Sequence, residues 1–184
     1  MHALISTLDE MNNSRVIRLW EALAETCNIR GVLITPLPHF SWHGAESYQL
    51  QQLEPLLADW ARQVEPFQVR TSGLGIFTGE KPILHLRLVA TQQLLTYHRQ
   101  VWQRLHATTV NHSSPHYAPG TWLPHITLGM EDVNFENIGC AVEKLAFQTY
   151  DWVIQIDNLT LVSHIPGQPG EIIRKFPLGS KDEP

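Results

Sequence analysis

A five-residue pattern that occurs twice is the feature of this sequence best suited to chemistry. Residues 38–42 read Pro-His-Phe-Ser-Trp and residues 124–128 read Pro-His-Ile-Thr-Leu, so both copies have the order proline, histidine, apolar, hydroxyl, apolar. In an extended strand, residues two apart point to the same face, and each copy would therefore place an imidazole beside a hydroxyl. One imidazole can take a proton while the other gives one, and two hydroxyls can hold an anion. The pattern predicts metal-free cleavage of a phosphodiester by His39 and His125.

The five-residue form is much more specific than the bare sequence His-x-Ser/Thr. The short form occurs four times, because the chain contains 10 histidines. The copies at His106 and His112 lack the preceding proline and the apolar residue after the hydroxyl. Only the doubled long form predicts a site, in which Ser41 and Thr127 would donate hydrogen bonds to phosphate.

The motif pair resembles that of the two-histidine (2H) phosphoesterases, the superfamily that includes bacterial 2′-5′ RNA ligases and cyclic phosphodiesterases. The signature of that superfamily is His-x-Thr/Ser-apolar in each of two similar lobes. Residues 67–89 resemble the family's strand pair between the lobes, and residues 159–178 resemble its closing strands. The first motif differs in carrying Ser41 where threonine is usual and Trp42 after it, which bears on substrate preference. The resemblance implies hydrolysis of a cyclic phosphodiester, and in reverse the joining of RNA ends.

Four further residues are candidates for a substrate pocket. By its position in the resemblance, Phe77 would line the base pocket. Tyr117 and Trp122 flank the second motif and could either stack on a base or pack in the core. Arg70, in the strand before a turn, could either neutralise phosphate or remain solvated.

No metal or cofactor is expected. His112 and His116 have the i, i+4 spacing of a helical metal site, but Pro115 lies between them and argues against a helix. A solvated loop is the expected structure there. No cluster of Asp, Glu and His in the sequence has metal-ligand spacing.

Charge and composition limit the class of substrate. The 184-residue chain has 43% hydrophobic and 17% charged residues, as expected for a globular protein with a substantial core. Its net charge is −5, whereas long nucleic acids are normally bound by a basic surface. We therefore expect a small nucleotide or an RNA end as the ligand, no long nucleic acid, no membrane partner and a monomeric protein.

The two cysteines and the N-terminus bear on the compartment. Cys27 and Cys140 lie far apart in helical patterns and lack metal-ligand spacing. Buried free thiols in a reducing cytoplasm are the expectation. The first 15 residues show no basic region followed by a long apolar run, so no signal peptide is expected, and no apolar run is long enough for a membrane span.

Hydrophobic periodicity predicts the element order β-α-β-α-β-β-α-β-α-β-β. The motif strand, a helix and a following strand pair occur twice, which indicates a diverged internal duplication. We predict an α+β fold with two lobes related by a pseudo-twofold axis. Two small, mostly antiparallel sheets would face a central cleft, with the motif strands near their centres and helices on the outer faces. One domain would span residues 1–180, followed by a loose tail at 181–184.

Local signals set the expected boundaries. Asn12 or Asn13 would cap the first helix, and Thr91 the third. The first motif strand would cover residues 31–42, a loop would cover 110–120, and Asn134 would open the last helix. Pro55 would start or kink the second helix.

Two other functions use the same residues. A nucleotide- or RNA-end-binding module without turnover would keep the cleft but not the chemistry. A metal-dependent hydrolase would use several histidines as ligands. The sequence does not choose among a 2′,3′-cyclic nucleotide, an ADP-ribose cyclic phosphate, a 2′-5′ linkage and an RNA terminus, nor between hydrolysis and ligation.

Overall fold

The computed structural model describes residues 1–35, 37–164 and 168–179, and the predicted tail at 181–184 lies outside them. The described residues form nine strands and four α-helices. In chain order these are β1 His2–Thr7, α1 Glu10–Thr26, β2 His39–Tyr48, α2 Leu50–Gln63, β3 Phe67–Phe77, β4 Ile83–Leu88, α3 Gln92–His106, β5 Thr109–Ser113, β6 His125–Gly129, α4 Ile138–Ala146, β7 Val153–Ile156, β8 Asn158–Ser163 and β9 Glu171–Pro177.

Two antiparallel sheets carry the two motifs. The first has the strand order β5-β2-β1-β8-β9 and the second the order β6-β4-β3-β7. Every strand pair in the described part of the chain is antiparallel. The predicted α+β class is therefore confirmed. The motif strands are not central, because β2 is second from one edge and β6 is an edge strand.

The two lobes share one pairing scheme. In the first sheet, β1 pairs with the motif strand β2, and Thr7 and Ile5 lie opposite His39 and Ser41. In the second sheet, β4 pairs with the motif strand β6, where Arg87 and His85 lie opposite His125 and Thr127. The repeat is therefore a strand, a helical crossover and a motif strand. Two paired strands were predicted after α4, and the structure has three: β8 and β9 pair with each other in the first sheet, whereas β7 joins the second sheet.

Several predicted boundaries need correction. Asp9 rather than an asparagine caps α1, because its carboxylate accepts a hydrogen bond from the backbone N–H of Asn12. Thr91 caps α3 as predicted. Residues 31–34 form a 3₁₀ turn, and the first motif strand begins at His39. A proline has no N–H to give to a sheet, which explains why the strand begins only after Pro38.

Three other segments also differ from the prediction. Residues 109–113 form β5, which pairs with β2 although its sequence lacks apolar alternation. Helix α4 begins at Ile138, with Asn137 at its N-cap. Pro55 lies inside α2, which begins five residues earlier at Leu50.

The core is one contiguous cluster that spans both sheets. Helices α2 and α3 pack on the first sheet, and α1 packs on β6 and on α4. Two partly buried hydrogen bonds fix the N-terminal end of α1. The Asp9 carboxylate accepts a hydrogen bond from the backbone N–H of Gln155 at 2.9 Å, and the Asn12 side-chain amide donates one to the carbonyl of Val153 at 2.9 Å. These bonds join the start of α1 to β7.

The prediction of free thiols was wrong. Cys27, at the C-terminal end of α1, and Cys140, in the first turn of α4, form a disulfide with a Cα–Cα distance of 5.6 Å. The sequence did not show that these two helix ends lie side by side, because the cysteines are 113 residues apart. The expectation of a reducing compartment rested on free thiols and loses that support.

None of the helices within residues 1–35, 37–164 and 168–179 has the length and apolarity that crossing a bilayer requires.

Loss of the disulfide should lower stability. A cross-link that closes a loop of about 100 residues contributes roughly 3–5 kcal/mol by restricting the unfolded chain. We expect reduction, or the double substitution Cys27→Ser and Cys140→Ser, to lower the free energy of unfolding by about that amount in urea titrations. The free energy of unfolding of the double variant should not change when reductant is added. Detection of two reactive thiols in the untreated native protein would contradict the pairing.

Candidate functional site

Burial alternates along both motif strands, as the pattern requires. Phe40 and Trp42 in β2, and Ile126 and Leu128 in β6, are each 0% exposed. The residues between them are only half-buried: His39, Ser41, His125 and Thr127. The apolar side chains thus anchor each strand in the core and leave an imidazole and a hydroxyl on its other face.

Each imidazole is held by the same local hydrogen bond. Nδ1 of His39 lies 2.8 Å from the carbonyl oxygen of Leu37, and Nδ1 of His125 lies 2.7 Å from that of Leu123. A carbonyl only accepts, so Nδ1 carries the hydrogen and the Nε2 lone pair of the neutral ring is free. The intervening proline restricts the residue before it to an extended conformation, which presents that carbonyl to the ring. This is a physical role for the proline of each motif.

The two rings influence each other's protonation. Burial lowers the pKa of His39 from its ordinary value, and the charge that His125 can carry lowers it further. Burial also lowers the pKa of His125, against the opposing effect of its bond to the Leu123 carbonyl. Once one ring has taken a proton, the other is harder to protonate. Between the two apparent pKa values of the pair, one imidazole is therefore charged and the other neutral, the combination that acid–base catalysis needs.

A tryptophan fixes the backbone of each hydroxyl residue. The indole N–H of Trp122 donates to the carbonyl of Ser41 at 2.9 Å, and that of Trp20 in α1 donates to the carbonyl of Thr127 at 3.0 Å. The role of Trp20 depends on α1 packing against β6, which no local pattern in the sequence reveals.

The two hydroxyls themselves differ. The Ser41 hydroxyl is hydrogen-bonded to the phenol of Tyr117. For the Thr127 hydroxyl, no partner is present among the residues that the structure describes. Thr127 is therefore open to a ligand, whereas Tyr117 orients Ser41.

A cleft of about 480 Å³ lies beside His125. Its lining is mainly apolar and aromatic, and includes Phe77, Leu123 and Tyr117. No Asp, Glu, Lys or Arg side chain is among the described residues that line it. Such a cleft suits an aromatic base with few charges nearby.

The predicted pocket residues have different environments. Phe77 lines the cleft, with its ring centroid 4.8 Å from that of His125. Trp122 also borders the cleft but is only 6% exposed, because it stacks between Trp42 and His98. Of the two alternatives for Trp122, packing in the core is therefore the one that the structure shows.

Arg70 does not line the cleft. Its guanidinium forms a bidentate ion pair with Asp151 at the surface, so the charge is already neutralised. Of the two loop histidines, His112 is exposed in β5 and His116 lies at the edge of the cleft. Within the described ranges, no three His, Cys, Asp or Glu side chains are grouped so that they could hold a metal ion.

Two residues of β4 that lie across from the second motif were missed. Alternation along this strand turns Leu84, Leu86 and Leu88 into the core, so His85 and Arg87 share the opposite face with His125. Arg87 is exposed and lies directly across from His125. The alternation is visible in the sequence, but the pairing of β4 with β6 is not.

Comparison with known proteins agrees with this arrangement. A model of the 2′-5′ RNA ligase superfamily matches residues 32–168, a range that contains both motifs. No curated protein matches the chain.

Two solved structures show the same fold. The crystal structure of TT0787 of Thermus thermophilus has a TM-score of 0.66 at 15% identity, with 98% of each chain covered. Usb1 of Kluyveromyces marxianus has a TM-score of 0.56 at 11% identity, with 96% of this chain and 97% of that one covered. Since the family model matches most of the sequence and both motifs present paired imidazoles, the chain belongs to the 2′-5′ RNA ligase superfamily of two-histidine phosphoesterases.

Proposed function

We propose that this protein is a metal-independent phosphodiesterase that acts on a 2′,3′-cyclic nucleotide or a related RNA-end phosphodiester. The observation that carries the proposal is the matched anchoring of His39 and His125, each with Nδ1 bonded to the carbonyl two residues before it. Both rings therefore offer Nε2 for proton transfer, and each stands beside a hydroxyl on its own strand. Under this proposal the four motif residues form the reaction centre.

The reaction needs two proton transfers and one substitution at phosphorus. One neutral imidazole removes a proton from water as the water oxygen bonds to phosphorus. The bond from phosphorus to a ribose oxygen breaks, and the other imidazole, protonated, gives its proton to that oxygen. Each ring ends in the state in which the other began. When a 5′-hydroxyl takes the place of water, the same two proton transfers form a bond from its oxygen to phosphorus and break one ring P–O bond of the cyclic phosphate, which joins two RNA ends.

The hydroxyls would stabilise the charge that accumulates on the nonbridging oxygens. Thr127 has an open hydroxyl, and the Ser41 hydroxyl, which is bonded to the Tyr117 phenol, would turn its hydrogen from that phenol to a nonbridging oxygen when the substrate binds. Exposed Arg87, across from His125, would add a positive charge at the rim of the site.

The cleft supports a substrate with one phosphodiester and one aromatic base. Phe77 and Leu123 give it an apolar wall, and no charged side chain is among its described lining residues. A diphosphate would need more compensating cations than a single phosphodiester, and long RNA would need a basic surface. With a net charge of −5, the protein is better suited to a mononucleotide or a single RNA terminus.

Loss of either histidine should nearly abolish turnover. We expect His39→Ala and His125→Ala each to lower kcat on a 2′,3′-cyclic nucleotide by about 100- to 10,000-fold, with little change in melting temperature. Because the rings act as one unit, the double variant should be barely slower than either single variant. His112→Ala, an exposed histidine outside the motifs, is the matched control.

All of these assays should contain excess chelator, in which the unmodified protein should keep full activity. Chelator-sensitive activity would identify a metal-dependent hydrolase instead. Tight substrate binding without turnover would identify a binding module. A single variant that keeps most of its activity would rule out the paired mechanism.

The rate should depend on pH with a maximum on the acidic side of pH 6.5. Both histidine pKa values are lowered from 6.5, so both rings are largely neutral above that pH and the acid form is scarce. As pH falls further, the second ring takes a proton and the base is lost. We expect the plot of kcat/KM against pH to be bell-shaped, and its two limbs should report the two apparent pKa values of the histidine pair. A rate that keeps rising from pH 6.5 to 9 would contradict this.

The two hydroxyls should differ in their response to substitution. Thr127→Ala removes an open donor and should cost about 100-fold in kcat. Tyr117→Phe keeps the ring but frees the Ser41 hydroxyl to rotate, so a loss of about 5- to 10-fold is expected, less than that of Ser41→Ala. Unchanged kcat in Thr127→Ala and Ser41→Ala would show that neither hydroxyl touches the reacting phosphate.

A further inference from the structure

A third imidazole lies directly behind two residues of the cleft wall, Phe77 and His125. His85 in β4 is 4% exposed and pairs across the sheet with Thr127 on one side and Gly75 on the other. Its ring stacks on Phe77 with 4.0 Å between centroids and an interplanar angle of 22°. It meets the ring of His125 edge-on at 5.1 Å. His85, Phe77 and His125 therefore form a cluster of three mutually contacting rings.

The repeated architecture does not require a histidine at this position. Ile5 lies opposite Ser41 in the first sheet, just as His85 lies opposite Thr127 in the second. Ile5 is buried at 1% exposure. Among the described residues, no aromatic ring stacks on His39 in the way that Phe77 and His85 pack against His125. The ring cluster is thus a feature of the second lobe alone.

A glycine makes room for this ring. A Cβ atom at Gly75 would lie 2.4 Å from Nε2 of His85, which is too close for any side chain. Gly75 is not among the residues with positive φ, so its backbone conformation does not demand glycine. The absence of a side chain there allows the imidazole of His85 to lie flat against β3 and under Phe77.

Burial and then the charge at His125 lower the pKa of His85 to about 4, so this imidazole is neutral near pH 7, and its Nδ1 lies 3.3 Å from the carbonyl of Ile83. Among the described residues, the titratable and charged groups around His125 include His39 from β2, His85 and Arg87 from β4, and three residues that line the same cleft: His2, His116 and Tyr117. Of these, only His85 packs its ring against both His125 and Phe77.

We propose that His85 is a positioning residue, which holds the Phe77 ring in the orientation that binds the substrate's base and the His125 imidazole in the orientation that proton transfer needs. The part of this inference that concerns the base rests on the proposed function. The part that concerns the orientation and burial of His125 does not. Removal of the aromatic ring at position 85 should therefore disturb the site, whereas its replacement by another aromatic ring without nitrogen atoms should not.

The test compares His85→Ala with His85→Phe. The first variant removes the stack, and the second keeps an aromatic ring against Phe77. An NMR titration of the His125 imidazole, assigned by its loss in His125→Ala, needs no substrate. We expect water to enter in His85→Ala, so that the pKa of His125 rises towards its ordinary value, whereas His85→Phe keeps it low.

Kinetics supply the second measurement. On a 2′,3′-cyclic nucleotide, His85→Ala should raise KM by about 10-fold, because the Phe77 ring that stacks on the base is no longer held in place by the ring behind it. On a base-free cyclic phosphodiester the KM should change little. His85→Phe should restore the KM for the nucleotide. This split between substrates is not expected from a general loss of stability.

Gly75→Ala provides an independent route if His85→Ala fails to fold. Its new methyl group would displace the His85 ring, so the His125 titration should shift in the same direction. An unchanged His125 titration in every variant that folds would overturn the proposal. The proposal would also be overturned if His85→Phe changed the His125 titration and the KM for the nucleotide as much as His85→Ala does, since the nitrogen atoms of His85 would then matter. If the unmodified protein cleaves no phosphodiester, the proposed function fails, but the titrations still decide whether His85 positions His125.

Discussion

Complete burial of the apolar residues in the two motif strands is the constraint on which the site depends. Phe40, Trp42, Ile126 and Leu128 are each 0% exposed. A shift of either strand by one residue would bring an imidazole into the core and expose a large apolar side chain. The free energy of burying four such side chains, about 1.5–3 kcal/mol each, therefore also sets the direction of both imidazoles.

Hydrogen bonds from other elements also hold the motif residues in place. Trp122 and Trp20 come from a loop and from α1, yet each donates its indole N–H to the carbonyl of a hydroxyl residue in a motif strand. The prolines of the motifs hold the preceding carbonyls against the histidine rings. The motif imidazoles and hydroxyls are thus held by the backbone and by buried side chains, so the reaction proposed above would need little reorganisation of these groups.

The two motifs are alike in sequence but not in surroundings. His39 lies across from Thr7 and has Tyr117 bonded to its neighbouring hydroxyl, whereas His125 lies across from Arg87 and packs against Phe77. A phosphodiester is itself unequal at its two ends, with an entering oxygen on one side and a leaving oxygen on the other. The different surroundings of the two motifs would suit each half to a different end of the phosphodiester in the proposed reaction.

The sequence by itself determined the paired histidine motifs, the faces of their strands and the α+β class, and the motifs carried the resemblance that pointed to the family. The faces follow from local order, since a period of two sets which side chains share a face whatever the strand later packs against. The tertiary structure alone decided that Trp122 is a core residue, that Arg70 is paired with Asp151 and that Cys27 is bonded to Cys140. It also decided that His85 stands behind Phe77. These features depend on which distant segments meet, and that is fixed by the packing of the whole core rather than by neighbours in the chain.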